Sequence, residues 1–167
     1  GEKIIDIVKI PEENTTSLGL LSNDGRFKRI AISEILDLSG RASTVVKLKE
    51  GTHLKKGFIC KENGNLILGT DIGRVLKLSI NQDNTPIMGK LAQGPMTMKM
   101  FPGENIVGAV SDYKNKFENI IFISKKGYLT KINTNTLRTC KRGSLGDMKL
   151  ETVNKLVNDK IVDLTDE

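Results

Sequence analysis

The chain has no tryptophan, a single histidine and an aromatic share of only 4% across its 167 residues. That scarcity argues against a large aromatic ligand pocket and against a platform of stacked bases of the RNA-binding kind. Its two cysteines, Cys60 and Cys140, are isolated: neither belongs to a Cys-x-x-Cys motif or has a histidine at ligand spacing. Two reduced thiols are therefore expected, not a disulfide or a metal site. No signal-peptide pattern is present and no apolar run approaches the length of a membrane span, so no membrane partner is expected. The lone His53 follows a turn in Gly51-Thr52-His53-Leu54. With no Ser or Cys and carboxylate arrangement around it, it reads as a solvent-facing loop residue and not a general base.

A further absence is of one sign of charge. From Asn119 to Gly146 there is no Asp or Glu, while the same stretch carries Lys125, Lys126, Lys131, Arg138, Lys141 and Arg142. A solvated face ordinarily mixes both signs, so this one-sided window points to a polyanion. The overall net charge of +6 and pI near 9.3 agree, although a basic balance alone is weak evidence. The remaining composition, 38% hydrophobic and 28% charged, is that of an ordinary globular chain long enough to bury a core.

What is present is a repeat. Leu18 to Gly25, Leu66 to Gly73 and Ile120 to Gly127 are each an apolar run closing on a turn glycine. A second apolar run follows each: Arg26 to Ile30, Arg74 to Leu78 and Tyr128 to Ile132. Two such runs around a Gly-containing turn form a β-hairpin. A third strand signal, a Lys between two apolar residues, recurs as Val46-Lys47-Leu48, Met98-Lys99-Met100 and Met148-Lys149-Leu150. The alternating Met96, Met98 and Met100 read as core packing on such a strand. The opening Lys3-Ile4-Ile5-Asp6-Ile7 is echoed by Lys160-Ile161-Val162-Asp163-Leu164.

Three units of about fifty residues result, spanning about 4–54, 55–106 and 107–156, with a closing strand at 160–165. Helical signals are confined to Ala31–Leu36 and Leu150–Val157. A period near fifty with four strands per unit marks blades set radially, so an all-β, propeller-like fold is expected.

Within this repeat the basic residues recur. Arg29, Lys77 and Lys131 each stand four residues after the turn glycine, and Lys47, Lys99 and Lys149 form a second set. In a radial array such sets become spaced rows of positive charge on the rim, suited to the phosphates of a bent duplex without base readout. Arg26, Lys28, Arg41, Arg74 and Lys90 complete the candidate DNA-binding residues. Gly143-Ser144-Leu145-Gly146, following Lys141 and Arg142, is a Gly-rich loop whose main-chain N–H groups suit a phosphate, with a plain connecting turn as the alternative. It is no Walker A loop, since no Gly-Lys-Ser/Thr follows.

These hairpins, together with Gly40-Arg41-Ala42-Ser43-Thr44-Val45-Val46-Lys47-Leu48-Lys49-Glu50-Gly51 and the matching Gly89-Lys90 and Lys141 to Gly146, resemble the C-terminal domain of the A subunit of bacterial type IIA topoisomerases, DNA gyrase and topoisomerase IV. The resemblance implies a β-pinwheel, a ring whose neighbouring blades exchange strands and whose basic edge bends double-stranded DNA non-specifically, usually with six blades. It also implies an accessory, non-catalytic domain of an isomerase controlling supercoiling or decatenation, with the cleavage Tyr elsewhere. Tyr113 and Tyr128 accordingly read as packing or solvent-facing residues. The implied partners are the ATPase B subunit and the rest of the A subunit; no cofactor is expected in the domain, ATP and Mg²⁺ being used elsewhere. The implied location is cytoplasmic and nucleoid-associated, bacterial or organellar. Gyrase-type domains carry a Gln-Arg-Arg-Gly-Gly-Lys-Gly box; Lys141 to Gly146 lacks its Gln, its paired Gly and its later Lys, leaving gyrase and topoisomerase IV both open. A propeller-like protein-interaction scaffold is the alternative function.

Overall fold

The computed structural model describes residues 1–11, 15–113 and 118–149. Three β-hairpins lie along the chain in the order the repeat predicts. They are β1 (Thr16–Ser22) with β2 (Phe27–Ala31), β4 (Asn65–Thr70) with β5 (Arg74–Ser79), and β7 (Asn119–Ile123) with β8 (Leu129–Asn133). Each turn closes the same way: the N–H of Gly25, Gly73 or Gly127 donates to the carbonyl of Ser22, Thr70 or Ser124. The three glycines sit at φ of 81°, 89° and 88°, a region costly for any residue with a Cβ. One helical turn, α1 (Ile32–Leu36), follows β2 where the sequence placed it. The other expected helical turn and the 160–165 strand lie outside the described residues.

The hairpins are completed by strands that belong, by sequence, to their neighbours. β3 (Leu54–Lys61) opens the second sequence unit yet pairs antiparallel with β1, and β6 (Ile106–Asp112) opens the third yet pairs with β4. On the other edge of each of the first two hairpins lies a segment returning from the following unit. Residues 86–98 come back from the second hairpin to β2: Ile87 bridges Arg29 in parallel and Met96 bridges Arg26 antiparallel. The third hairpin's return segment treats β5 identically, with β9 (Thr139–Cys140) parallel and β10 (Asp147–Met148) antiparallel. Blades in space are thus offset from repeats in sequence, which a strand-exchanged pinwheel requires.

This exchange places the core between blades. Leu21 and Phe27 of the first hairpin pack in one cluster with Leu66, Leu68, Leu76 and Leu78 of the second, and Met98 arrives on the returning segment fully buried. A second cluster joins Ile67 and Val75 to Leu137, with Ile120, Phe122 and Ile132 packed against it. Each of the larger buried side chains contributes about 1.5–3 kcal/mol of burial, so the apolar faces of one hairpin are stable only once the neighbour is present. Of the three methionines expected in the core, Met98 is buried, Met100 half-buried and Met96 40% exposed.

The third strand signal needs correction. At Val46-Lys47-Leu48 no strand forms; the return segments touch their hosts through short bridges. The register also splits the second basic set. Thr97 donates its N–H to Gly25 O as Lys149 does to Gly73 O. Lys149 is therefore equivalent to Thr97, and the position matching Lys99 in the third unit is Glu151, outside the described residues. Lys47 and Lys99 do correspond, each preceding a positive-φ turn glycine, Gly51 or Gly103, both at 77°.

Candidate nucleic-acid interface

The basic positions of the hairpins divide according to what the returning segments demand. An edge segment that meets its host through two bridges leaves main-chain carbonyls without ladder partners, and a buried carbonyl left unpaired is costly. Long basic side chains on β2 and β5 supply the missing donors. Lys28 Nζ donates to Gly89 O at 2.8 Å and Lys90 O at 2.7 Å. Arg29 donates through Nε to Thr85 O and pairs with Glu62 at 2.6 Å. Arg26 reaches Gly94 O at 3.2 Å and pairs with Asp24 at 3.4 Å. Arg74, the Arg26 equivalent, donates to Leu145 O at 2.5 Å and Lys99 O at 2.8 Å, forms an ion pair with Glu104, and lies 4.0 Å over the Phe101 ring. Lys77 reaches Thr134 O at 3.2 Å.

These contacts overturn part of the expected interface. Lys28, Arg29 and Arg74 are buried, at 1%, 1% and 3% exposure, with their charged ends turned to internal acceptors, so no phosphate reaches them. Arg26 and Lys77 are half-buried and similarly engaged. The row Arg29, Lys77 and Lys131 is therefore no continuous row of surface charge: only Lys131 is exposed. Basic residues at strand positions signalled a cation but not the carbonyl it serves, because the acceptors on the returning segments lie 56 (Arg29) to 71 (Arg74) residues further along the chain. The acidic partners Glu62 and Glu104 escaped notice because they too are distant in the chain, 33 and 30 residues from Arg29 and Arg74.

Ionisation follows the same contacts. Burial lowers the Lys28 ammonium below its ordinary value, partly countered by Glu34. Burial would raise Glu104, but hydrogen bonds from Arg74, the Phe101 N–H and Thr70, with the Arg74 charge, outweigh it and hold the carboxyl below the usual range. Cys60, buried in the core, is pushed up to about 12 by desolvation; both cysteines are free thiols. Among the described residues no cluster of His, Cys, Asp and Glu is arranged to hold a metal.

The remaining cations face outward: Arg41, Lys47, Lys99, Lys125, Lys126, Lys131, Arg138, Lys141 and Arg142 are exposed, and Lys90 and Lys149 half-buried. Three of them converge. An open groove of about 670 Å³ is lined by Lys99, Arg138, Lys141 and the loop Gly143 to Gly146, with the exposed Arg142 beside Lys141. The groove spans two successive exchanged segments, Lys99 on the one docked to β2 and Lys141 on the one docked to β5. Its walls are tied together by Gly143 N–H to Thr97 O at 2.7 Å and Lys99 N–H to Ser144 O at 3.0 Å. The Arg142 N–H is anchored on Asn84 Oδ1 at 3.2 Å. The loop N–H groups of Gly143 and Ser144 are both spent internally, on Thr97 O and Lys141 O, and are not free for a phosphate. Asp147 pairs with Arg138 at 3.2 Å, leaving that guanidinium 74% exposed. Lys125 and Lys126 are exposed on the β7–β8 turn, where the corresponding turns of the first two hairpins carry Asp24 and Asp71.

Blades that share their edge strands, with cations gathered where two exchanged segments meet, define a β-pinwheel of the propeller class. The family model for the DNA gyrase C-terminal domain, a β-propeller, matches residues 20–55 and 118–150. The A subunit of DNA topoisomerase 4 from Synechocystis sp. is 25% identical over 154 residues, covering 87% of this chain and 16% of that protein. The A subunit of DNA gyrase from Ureaplasma parvum serovar 3 is 25% identical over 170 residues, covering all of this chain and 20% of the relative. The solved C-terminal domain of DNA gyrase A superposes with a TM-score of 0.72 at 18% identity, over 81% of this chain and 43% of that one. That of topoisomerase IV gives 0.72 at 20%, over 82% and 42%. The chain is similar to the C-terminal domains of gyrase A and topoisomerase IV A in fold and in part of its sequence, and spans a fifth or less of the curated relatives it matches.

Proposed function

We propose that this domain binds double-stranded DNA without sequence preference and bends it, as the non-catalytic accessory domain of the A subunit of a type IIA topoisomerase, working with the ATPase B subunit and the rest of its own polypeptide. The observation that carries this reading is the groove lined by Lys99, Arg138 and Lys141, with the exposed Arg142 next to Lys141 in the chain, set largely in an acid-free stretch and drawn from two adjacent exchanged segments. Flexible cations without planar base-reading partners suit phosphate neutralisation along a backbone. Bending a short duplex costs about 1–6 kcal/mol, so contacts beyond one blade must offset it; Lys125 and Lys126, exposed on the β7–β8 turn, are further cations for it. The parent enzyme's ATP and Mg²⁺ chemistry takes place outside this domain, and its setting is the bacterial or organellar nucleoid.

The test is duplex affinity across a salt series. A steep negative slope of log K against log salt is expected, shallower by about 0.9 for each phosphate no longer neutralised. Changing Lys99, Arg138, Lys141 and Arg142 to Gln should flatten it by about 2–4 units. Affinity should rise with duplex length until the positive surface is covered. A slope near zero, or no length dependence, refutes the reading and favours a protein-interaction scaffold.

A further inference from the structure

The loop that closes the positive groove carries one side chain for which phosphate neutralisation has no use. Leu145 lines the groove together with Lys99, Arg138 and Lys141, and 46% of it is exposed. Single leucines on a surface are ordinary, so exposure alone decides nothing. What sets Leu145 apart is the framework beneath it. The loop from Lys141 to Gly146 is fixed to β5 at both ends, through the parallel pairing of β9 and the antiparallel pairing of β10. Its turn is closed by the Ser144 N–H on Lys141 O at 3.2 Å, while Gly143 N–H donates to Thr97 O and Ser144 O accepts from the Lys99 N–H. The Leu145 carbonyl accepts from Arg74 Nη1 at 2.5 Å, and Arg74 is itself held by Glu104. Gly146, at φ of 75°, sits against the Val75 carbonyl with no room for a Cβ. An apolar side chain is thus presented outward, among cations, from a main chain braced on both sides of it.

The preceding return loop, docked on β2, repeats the arrangement. The Ala92 N–H closes its turn on Gly89 O at 3.1 Å, the counterpart of the bond from Ser144 to Lys141. Gly94 then packs against the Phe27 carbonyl as Gly146 does against that of Val75. This loop presents Leu91, 66% exposed, next to Lys90. Leu91 stands two positions earlier in its loop than Leu145 does in its own. Each braced loop nonetheless offers one exposed leucine in a basic setting.

Proteins that bend DNA use apolar side chains of this kind as wedges. Cations hold the phosphates, the wedge opens one base step, and the duplex kinks there. A braced loop suits the task, because an inserted side chain is pushed back by the stack and a loose one would yield. We propose that Leu145 is such a wedge, partly unstacking one step of the duplex whose phosphates Lys99, Arg138 and Lys141 neutralise, and that Leu91 acts in the same way one blade earlier. This rests on the DNA-binding reading and deepens it. The bend becomes a set of local kinks, and the protein senses how easily a step deforms, not which bases form it.

The test compares two short duplexes of one sequence, one fully paired and one with a single unpaired base at its centre. Affinity is measured across a salt series, and dyes at the duplex ends read the bend by energy transfer. The unpaired base spares the unstacking, so the native chain should bind the interrupted duplex tighter by roughly tenfold. Leu145→Ala should reduce that preference and the bend of the paired duplex, and adding Leu91→Ala should abolish the preference. The salt slope should not change, since no phosphate contact is lost. Leu145→Phe should keep both preference and bend, Phe being equally able to enter a step. These variants alter exposed side chains, and circular dichroism checks that they fold. Lys141→Gln should instead weaken both duplexes alike and flatten the slope by about 0.9. Equal affinity of the native chain for the two duplexes, or a double variant that keeps the native preference and bend, overturns the wedge while leaving phosphate binding in place. Absence of salt-dependent binding to either duplex overturns the DNA reading itself, and the wedge with it.

Discussion

Replacing Arg74 by Ala separates the structural cations from the interfacial ones. The guanidinium is 3% exposed and serves three acceptors at once: Glu104, Leu145 O and Lys99 O. Its removal leaves a carboxylate that is 1% exposed without its countercharge and two main-chain carbonyls without a donor. Breaking a buried ion pair from one side costs about 3–5 kcal/mol. For a chain of this size each kcal/mol moves the melting temperature by about 2–4 °C, so a fall of roughly 6–20 °C is expected. Urea denaturation and thermal melting, both followed by circular dichroism, measure it. Combining Arg74→Ala with Glu104→Gln should recover part of the loss, because no uncompensated charge remains. At a temperature where the variant is folded, the salt slope for duplex binding should be unchanged. A destabilisation below about 1 kcal/mol, well under the usual cost of breaking such a pair, or a flattened salt slope in the folded variant, would refute the assignment of Arg74 as a clamp on the exchanged segment.

Other outcomes follow from the same contacts. Because Glu104 ionises at lower pH folded than unfolded, its stabilising contribution is complete above the unfolded value of about 4.3 and fades as pH falls through the folded one. Melting curves from about pH 5 downward should show this loss, and Glu104→Gln should reduce it. Gly94→Ala should destabilise by at least about 2 kcal/mol, since the residue combines φ of 83° with a Cβ position 2.8 Å from Phe27 O. Chemical denaturation checks it, and an unchanged midpoint would contradict the close approach of the returning segment to β2. With the Cys60 thiol pushed up to about 12 and buried, a thiol reagent at about pH 8 should label Cys140 first and Cys60 only on unfolding, as mass spectrometry of the native chain would show.

Much of this molecule is local and was legible residue by residue. The hairpins follow from apolar runs flanking a glycine at positive φ, a conformation decided within the turn itself. The single helical turn after β2 and the three-fold recurrence follow from the same short-range patterns. The acid-free stretch from Asn119 to Gly146 marked the segment that carries most of the groove, because charge composition needs no tertiary knowledge.

What the sequence could not decide is which edge each segment joins. β3 and β6 pair backwards into the preceding blade and residues 86–98 and 139–148 return to it, choices made by burial between units separated by about fifty residues. That exchange also sorted the cations. Lys28, Arg29 and Arg74 read as surface charge while their partners were unknown, yet the arriving backbone drew them inward, where an unpaired carbonyl costs more than a buried guanidinium held by several acceptors. Lys99 and Lys141, 42 positions apart in the chain, became neighbours only because two successive return segments lie side by side. Local chemistry determined the hairpins and the sign of the charge; the exchange of strands between blades determined which charges remain at the surface.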